Sequence, residues 1–341
     1  MPKPIRPAVL QVDLVGIAED TRRLNPGVVR VDMSTRWPEG HPRHRFSPER
    51  MPQCAAVVPV AAVKDLKTVR VAIIFILGML IPLVAWAQSP INRVPGHVFR
   101  DCADCPDMVV VPPGEFLMGS NEGRPSEKPV HKVTISRAFA VSKFHVTFLD
   151  WDACVLASSC NYSPRTNPLW GRGTRPVVNV SWDDVTREYL PWISRKTGKA
   201  YRLLTEAEYE YATRGSTNAA AVHTTYSWGN NLGSNRANCN GCGSQWDNKR
   251  TAPVGSFPPN AFGLHDMQGN VWTLVQDCYH DSYQGAPTDD SPWTTGDCDS
   301  RVMRGGDWFS IPWSLRASAR LSRNPFFRND GTGFRLARTL E

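Results

Sequence analysis

Over the last two thirds of the chain, apolar residues come in short runs that Gly, Pro and Asn interrupt before they reach helical length. "DMVVVPPGEFLMGS" (107–120) is apolar, rich in Val, and broken by Pro112-Pro113-Gly114, which predicts strand, turn, strand. "HKVTISRAFAVSKFHVT" (131–147) alternates apolar and polar positions and predicts one or two further strands. Two stretches change period. Ser181 stands before "WDDVTREYLPWISRKTG", with Asp184 three residues on and Gly198 as the stop; a helix is expected there, kinked or cut short at Pro191. Thr205 stands before "EAEYEYATRG", with Glu208 at the reciprocal capping position, acidic residues in the first turn and Gly215 at the end. From Gly215 to Glu341 the chain is dense in Gly, Asn, Pro, Ser and Trp and predicts no long helix. A domain of this build needs aromatic packing and cross-links to hold its irregular backbone.

The N-terminal quarter has another pattern. "VKDLKTVR" supplies Lys64, Lys67 and Arg70, and the uncharged apolar run Val71 to Ala87 follows, ending in Ala85-Trp86-Ala87. That order of cations, apolar run and small-x-small site predicts a cleaved export signal at 64–87, with Gln88 beginning the mature chain. The same 17-residue run, with Pro82 inside it, meets the lower limit of roughly 17–25 residues for a membrane span, so an uncleaved anchor is the alternative. Residues 1–63 are rich in Pro and Arg with little periodicity; either translation starts later, Met51 being a candidate, or this is an unfolded cytoplasmic tail. The expected organisation is then a lead-in at 88–101 and one domain at 102–341.

Charge and cysteines change this picture in two ways. Residues 1–87 hold 12 Lys+Arg and 7 Asp+Glu, which accounts for +5 of the formal net charge of +7. The basic balance therefore belongs to the leader, and the folded part is expected to bind neither nucleic acid nor an anionic membrane; residues 71–87 would be the one membrane contact. Apart from Cys54, the cysteines fall as Cys102/Cys105, Cys154/Cys160, Cys239/Cys242 and Cys278/Cys298. An even number in an exported chain points to disulfides, and neighbour pairing is the favoured one of the 105 possible pairings. The two Cys-x-x-Cys spacings also admit a zinc site. No phosphate-cradling glycine loop, Gly-x-Ser-x-Gly elbow or His-Glu-x-x-His is present.

Six runs, in order, resemble the formylglycine-generating enzyme or sulfatase-modifying factor family: "MVVVPPGEFLMGS", "RPVVNVSWDDV", "YRLLTEAEYEYATRG", "TAPVGSFPPNAFGLHDMQGNVW", "RVMRGGDW" and "GTGFRLAR". Together they span about Met108 to Arg338. The resemblance implies an α+β, C-type-lectin-like fold with little regular secondary structure, short strands and two main helices. It also implies a chemistry, since members of that family oxidise a cysteine of an unfolded sulfatase to formylglycine, using oxygen and copper(I) held by two cysteines five residues apart. Soft thiolates select copper(I). Here those positions fall on Ser310 and Leu315, and Asp307 replaces the serine after Gly-Gly. Copper is therefore not expected. The family's calcium-binding glutamate becomes Thr273, leaving the carbonyls of Gln268, Gly269 and Val271; a second calcium position maps near Asn238 and Asp247, which read equally well as turn residues.

What remains is a frame with unassigned chemistry. Arg304, Arg316, Arg320, Arg323, Arg328 and Arg335 read either as a rim for anionic or peptide ligands or as clamps on loop carboxylates and carbonyls, the latter favoured. Trp308, Phe309, Ile311, Trp313, Phe326 and Phe327 form an aromatic and apolar group without strand or helix period, some of which should face solvent and contact a protein or peptide ligand in a C-terminal cleft. The C-type-lectin-like variable proteins use this region for binding. His131, His145, His223, His265 and His280 are scattered without metal-ligand spacing. Three functional expectations follow: a binding or scaffold module that has lost copper oxidation; a periplasmic oxidoreductase with cysteine-free chemistry, as in the pyoverdine-maturation branch, with Asp307 as acid or base beside Trp308 and the cation Arg316; and, least favoured, sulfatase oxidation with a relocated thiol.

Overall fold

A computed structural model describes residues 94–217 and 223–340. The expected export signal or anchor, Met51 and the expected start at Gln88 lie outside the described residues. In chain order the elements are β1 (Val98–Phe99), β2 (Met108–Val111), β3 (Gly114–Met118), β4 (His131–Ile135), β5 (Phe139–Ser142), α1 (Phe148–Leu156) and α2 (Trp182–Asp184). A π turn, Val185–Tyr189, leads into α3 (Leu190–Thr197); then come α4 (Glu206–Arg214), β6 (Trp272–Cys278), β7 (Arg301–Arg304), β8 (Arg320–Arg323), β9 (Thr332–Phe334) and β10 (Ala337–Thr339). This is the α+β class expected, with short strands and much irregular backbone.

The strands form three sheets. One runs β1-β2-β5-β10, the second is the hairpin β3-β4, and the third runs β8-β7-β6-β9. Within the third, β6 pairs antiparallel with β7 and parallel with β9. Strand β2 is buried along its whole length. Its alternate residues serve two cores: Met108 and Val110 face the cluster containing Trp151, Tyr189 and Phe334, while Val109 and Val111 face the cluster containing Phe139, Tyr209 and Tyr211. A strand covered on both faces has no polar position to offer, which is why this run is continuously apolar. Val98–Phe99 pairs with Met108 and Val109, so the lead-in contributes a strand to the domain.

Both expected helices form with reciprocal caps, Ser181 with Asp184 and Thr205 with Glu208, and both end on a left-handed glycine. Pro191 does not end the segment, which continues to Thr197. Its missing N–H is absorbed by the π turn, where Leu190 N–H reaches back to Val185 O. One helix was not foreseen. Thr147 and Asp150 make a third capping box, and α1 buries Phe148, Trp151 and Cys154 against the first core.

All eight cysteines of the described residues are joined as neighbours: Cys102–Cys105, Cys154–Cys160, Cys239–Cys242 and Cys278–Cys298. The zinc alternative lapses with them, since the one group of potential ligands among the described residues, Cys102, Asp104 and Cys105, contains a disulfide.

Candidate functional site

The chain leaves β7 through Gly305 and Gly306, both at positive φ (99° and 78°). A side chain at Gly305 would strike the Tyr209 hydroxyl, and one at Gly306 would come within 2.7 Å of the Leu315 side chain. The two glycines thus let the loop turn tightly onto the α4 core. Asp307 follows and is buried. Ser310 Oγ donates to Asp307 Oδ1 at 2.5 Å and accepts from the Asp307 N–H at 3.2 Å. Asp307 Oδ2 has no hydrogen-bond partner and packs against Gly331, where any Cβ would overlap it. Burial pushes the Asp307 carboxyl up to about 6, against the Ser310 hydroxyl and the Ser310 and Phe309 backbone N–H groups.

Ser310 and Leu315 are built into the domain differently. Leu315 is fully buried with Tyr226, Ala237 and the Cys239–Cys242 disulfide, and its carbonyl accepts from Gln268 Nε2 at 2.5 Å. The same disulfide loop holds the other end, with Asn240 N–H donating to Ser310 O at 2.9 Å. A hydroxyl already bonded to a carboxylate and a packed leucine form no soft metal site.

Beside Asp307 lies a cavity of about 190 Å³ whose walls include Ser310, Phe309, Trp313, Arg316 and Glu127. Phe309 and Trp313 are exposed at its edge, 41% and 45% accessible. Trp308 is half-buried; its Nε1 donates to Asp330 O at 3.0 Å, and its ring meets Trp170 and Phe309 edge-on. Ile311 and Phe326 are exposed outside the cavity wall, and Phe327 is half-buried beneath Arg323. The structure therefore gathers Asp307, Phe309, Ser310, Trp313 and Arg316 around one cavity, and it leaves Trp308, Ile311, Phe326 and Phe327 outside that wall.

Arg316 requires a correction. Its guanidinium does not serve Asp307 but forks onto Glu127 at 2.7 and 2.8 Å and stacks 3.9 Å from the Trp313 ring centre. A bidentate carboxylate is the geometry a guanidinium fits best, and Glu127 provides it. The other arginines follow suit. Arg320 donates to Glu206 at 2.6 Å; Arg304 donates to Glu210 at 2.5 Å and lies 3.4 Å from Glu206; Arg214 completes the ladder on Glu210 at 2.7 Å. Burial would raise the Glu210 carboxyl, but Arg214 and Arg304 outweigh it and hold it below its ordinary value. Arg328 pairs with Asp184, and Arg335 donates to the carbonyls of Ser142, Lys143 and His265. Among the described residues Arg323 alone of this group has neither a carboxylate nor a distant carbonyl partner.

The side chains of the possible calcium ligands are engaged within the protein, and of the three expected carbonyls that of Gly269 accepts from Val271 N–H at 3.0 Å. Asn238 Oδ1 accepts from Ser244, and its amide donates to Arg250 O and Asn270 Oδ1. Both Asp247 carboxylate oxygens accept backbone N–H groups, from Gly241 and Gly243, and Gln268 Oε1 accepts from Ser227 N–H. Thr273 Oγ1 meets His145 Nε2 at 2.8 Å. Calcium takes several oxygen ligands, carboxylates foremost, and the one carboxylate of this set, Asp247, already accepts a backbone N–H on each oxygen. His145 is kept neutral by burial and by nearby Arg335, while His131, His223, His265 and His280 each bond a backbone carbonyl.

The three-sheet α+β domain belongs to a defined class: residues 94–340 match the sulfatase-modifying factor enzyme 1-like domain, and the chain is a member of that family. Its solved relatives include PvdO from Pseudomonas aeruginosa, 39% identical with a TM-score of 0.64, over 72% of this chain and 99% of that one. The inactive C-alpha-formylglycine-generating enzyme 2 of Mus musculus is 30% identical over 326 residues, 76% of this chain and 94% of that protein. The serine/threonine-protein kinase pkn1 of Chlamydia pneumoniae is 34% identical over 254 residues, 69% of this chain; the chain spans only 38% of the length of that relative.

Proposed function

We propose that this is an exported member of the family that has lost thiolate–copper oxidation and binds a protein or peptide ligand at the cavity beside Asp307. One observation carries the reading. The two positions that would hold copper are a hydroxyl bonded to Asp307 and a leucine packed on a disulfide, and no cysteine of the described residues is free. Exposed Phe309 and Trp313 at the rim supply the apolar contacts that peptide recognition uses. Four disulfides favour an oxidising compartment. Among the described residues no helix is long and apolar enough to cross a membrane.

A second reading is favoured by a separate observation. Asp307 presents a buried carboxyl with one unpartnered oxygen, pushed up to about 6, which suits a general acid or base working near neutral pH. On that reading the site performs cysteine-free redox chemistry, and the likeness to PvdO over nearly all of that chain supports a shared site design.

The test is aerobic incubation of purified residues 88–341 with a Cys-x-Pro-x-Arg peptide and copper(I), followed by peptide mass. Unchanged peptide is expected. Conversion to formylglycine would overturn the loss of oxidation and require another thiolate pair. Peptide-array binding compared with Trp313→Ala addresses the ligand reading; equal binding by the variant would remove the cavity rim from it.

A further inference from the structure

At Gln276 of β6 and Arg301 of β7, a cavity of about 560 Å³ opens between the α2–α3 segment, Leu203 and the loop closed by Cys278–Cys298. It shares no wall residue with the Asp307 cavity. Its volume lies within the range of about 300–1,000 Å³ common to small-molecule sites. Leu190, Pro191, Tyr201, Leu203 and the face of Trp182 make one side apolar. The π turn aims Thr186 and Leu190 into it, and such turns recur at functional sites.

The charge within this cavity is one-sided. Two arginines line it and no carboxylate does. Arg202 is neutralised by a bidentate contact with Glu208, at 2.6 and 2.7 Å. Arg301 is not neutralised: among the described residues it has no ion-pair partner. Its Nη1 donates to Gln276 O at 2.9 Å and touches Cys278 Sγ, while its Nε is buried without a partner. The guanidinium lies 4.1 Å from the Trp182 ring centre, which fixes its plane. Burial lowers its affinity for the proton, with Asp183 and Asp277 acting the other way from a distance.

We propose that this cavity binds a small amphipathic monocarboxylate, its carboxylate on Arg301 and its apolar body along Leu190, Pro191, Tyr201 and Leu203. A half-buried guanidinium with uncommitted N–H groups is completed by one planar carboxylate. The single uncompensated charge favours a monoanion over a phosphate dianion. Thr294 and Cys298, in the loop closed by the Cys278–Cys298 bond, also line the cavity.

Calorimetric titration of residues 88–341 with octanoate and with octanamide tests the assignment, repeated on Arg301→Gln and on Thr186→Trp, which fills the cavity from the helix. Octanoate is expected to saturate at least about tenfold more tightly than octanamide. Arg301→Gln should reduce octanoate to the amide's affinity, and Thr186→Trp should remove binding of both, with melting temperatures showing that each variant is folded. Equal affinity of the two probes for the unmodified protein would overturn the proposal, as would undiminished octanoate binding by folded Arg301→Gln or no saturable octanoate binding at all. The unmodified-protein comparison stands even where a variant fails to fold, and none of these outcomes depends on the Asp307 cavity.

Discussion

Asp307→Asn should stabilise the domain, and by an amount that depends on pH. The aspartate carboxyl moves from an ordinary 3.8 to about 6 on folding. A carboxyl raised in this way binds protons more tightly in the folded than in the unfolded chain. Its unfavourable contribution is therefore absent in acid, grows as pH rises through the unfolded value, and is complete above the folded one. With about 1.4 kcal/mol per unit, the contribution amounts to about 1 kcal/mol at pH 4.5 and about 3 kcal/mol at pH 7.5. Asparagine keeps the oxygen that accepts from Ser310 Oγ and carries no charge to desolvate. Urea unfolding of both proteins at the two pH values, taken as a difference, cancels the titration of every other group. The variant should gain about 2 kcal/mol more at pH 7.5 than at pH 4.5, seen at neutral pH as a melting temperature higher by several degrees. An equal difference at both pH values would refute the perturbed carboxyl and with it the acid–base reading of the site.

Other consequences are open to direct measurement. Glu210→Gln leaves Arg304 and Arg214 facing a neutral group in the core, and thermal unfolding should show a loss of about 3–5 kcal/mol. Gly331→Ala drives a methyl into Asp307 Oδ2 and toward Phe309; a loss of about 1–3 kcal/mol is expected, together with weakened ligand binding at the cavity. Thiol titration of denatured residues 88–341 should find no free thiol before reduction and eight after it, because all eight are paired. Chelation with EDTA should leave the melting temperature unchanged, since Asn238, Asp247 and Gln268 already have protein partners.

What the sequence discloses depends on how local the cause is. The capping boxes at Ser181 and Thr205 announce their helices within four residues, and the left-handed glycines Gly198 and Gly215 close them. The third box, Thr147 to Asp150, is as legible in principle. It was masked because the alternation of the preceding strand runs straight into it, and a nine-residue helix has few turns in which to show its period. Disulfide neighbours were readable from spacing. The arginines were readable only as clamps in general: Arg316 finds Glu127 189 residues away, and Arg304 finds Glu210 94 residues away. Nothing in local periodicity encodes such pairs, so the expectation that Arg316 would serve Asp307 followed proximity in sequence and failed. The cavity at Arg301 escaped notice for the same reason, being assembled from three separate parts of the chain.

Strand β10 sets a condition on how the domain comes into being. Its residues Ala337, Arg338 and Thr339 pair with Val141, Ala140 and Phe139, nearly two hundred residues earlier in the chain. Leu336, just before it, sits in the first core with Trp151. Until β10 is in place, β5 has an open edge and the core beneath it is missing a wall. The domain must therefore wait for β10, and a sequence so dominated by distant pairings should fold slowly once that strand is available. By the same account, a chain cut just before Ala337 should be made in full measure and degraded before it matures.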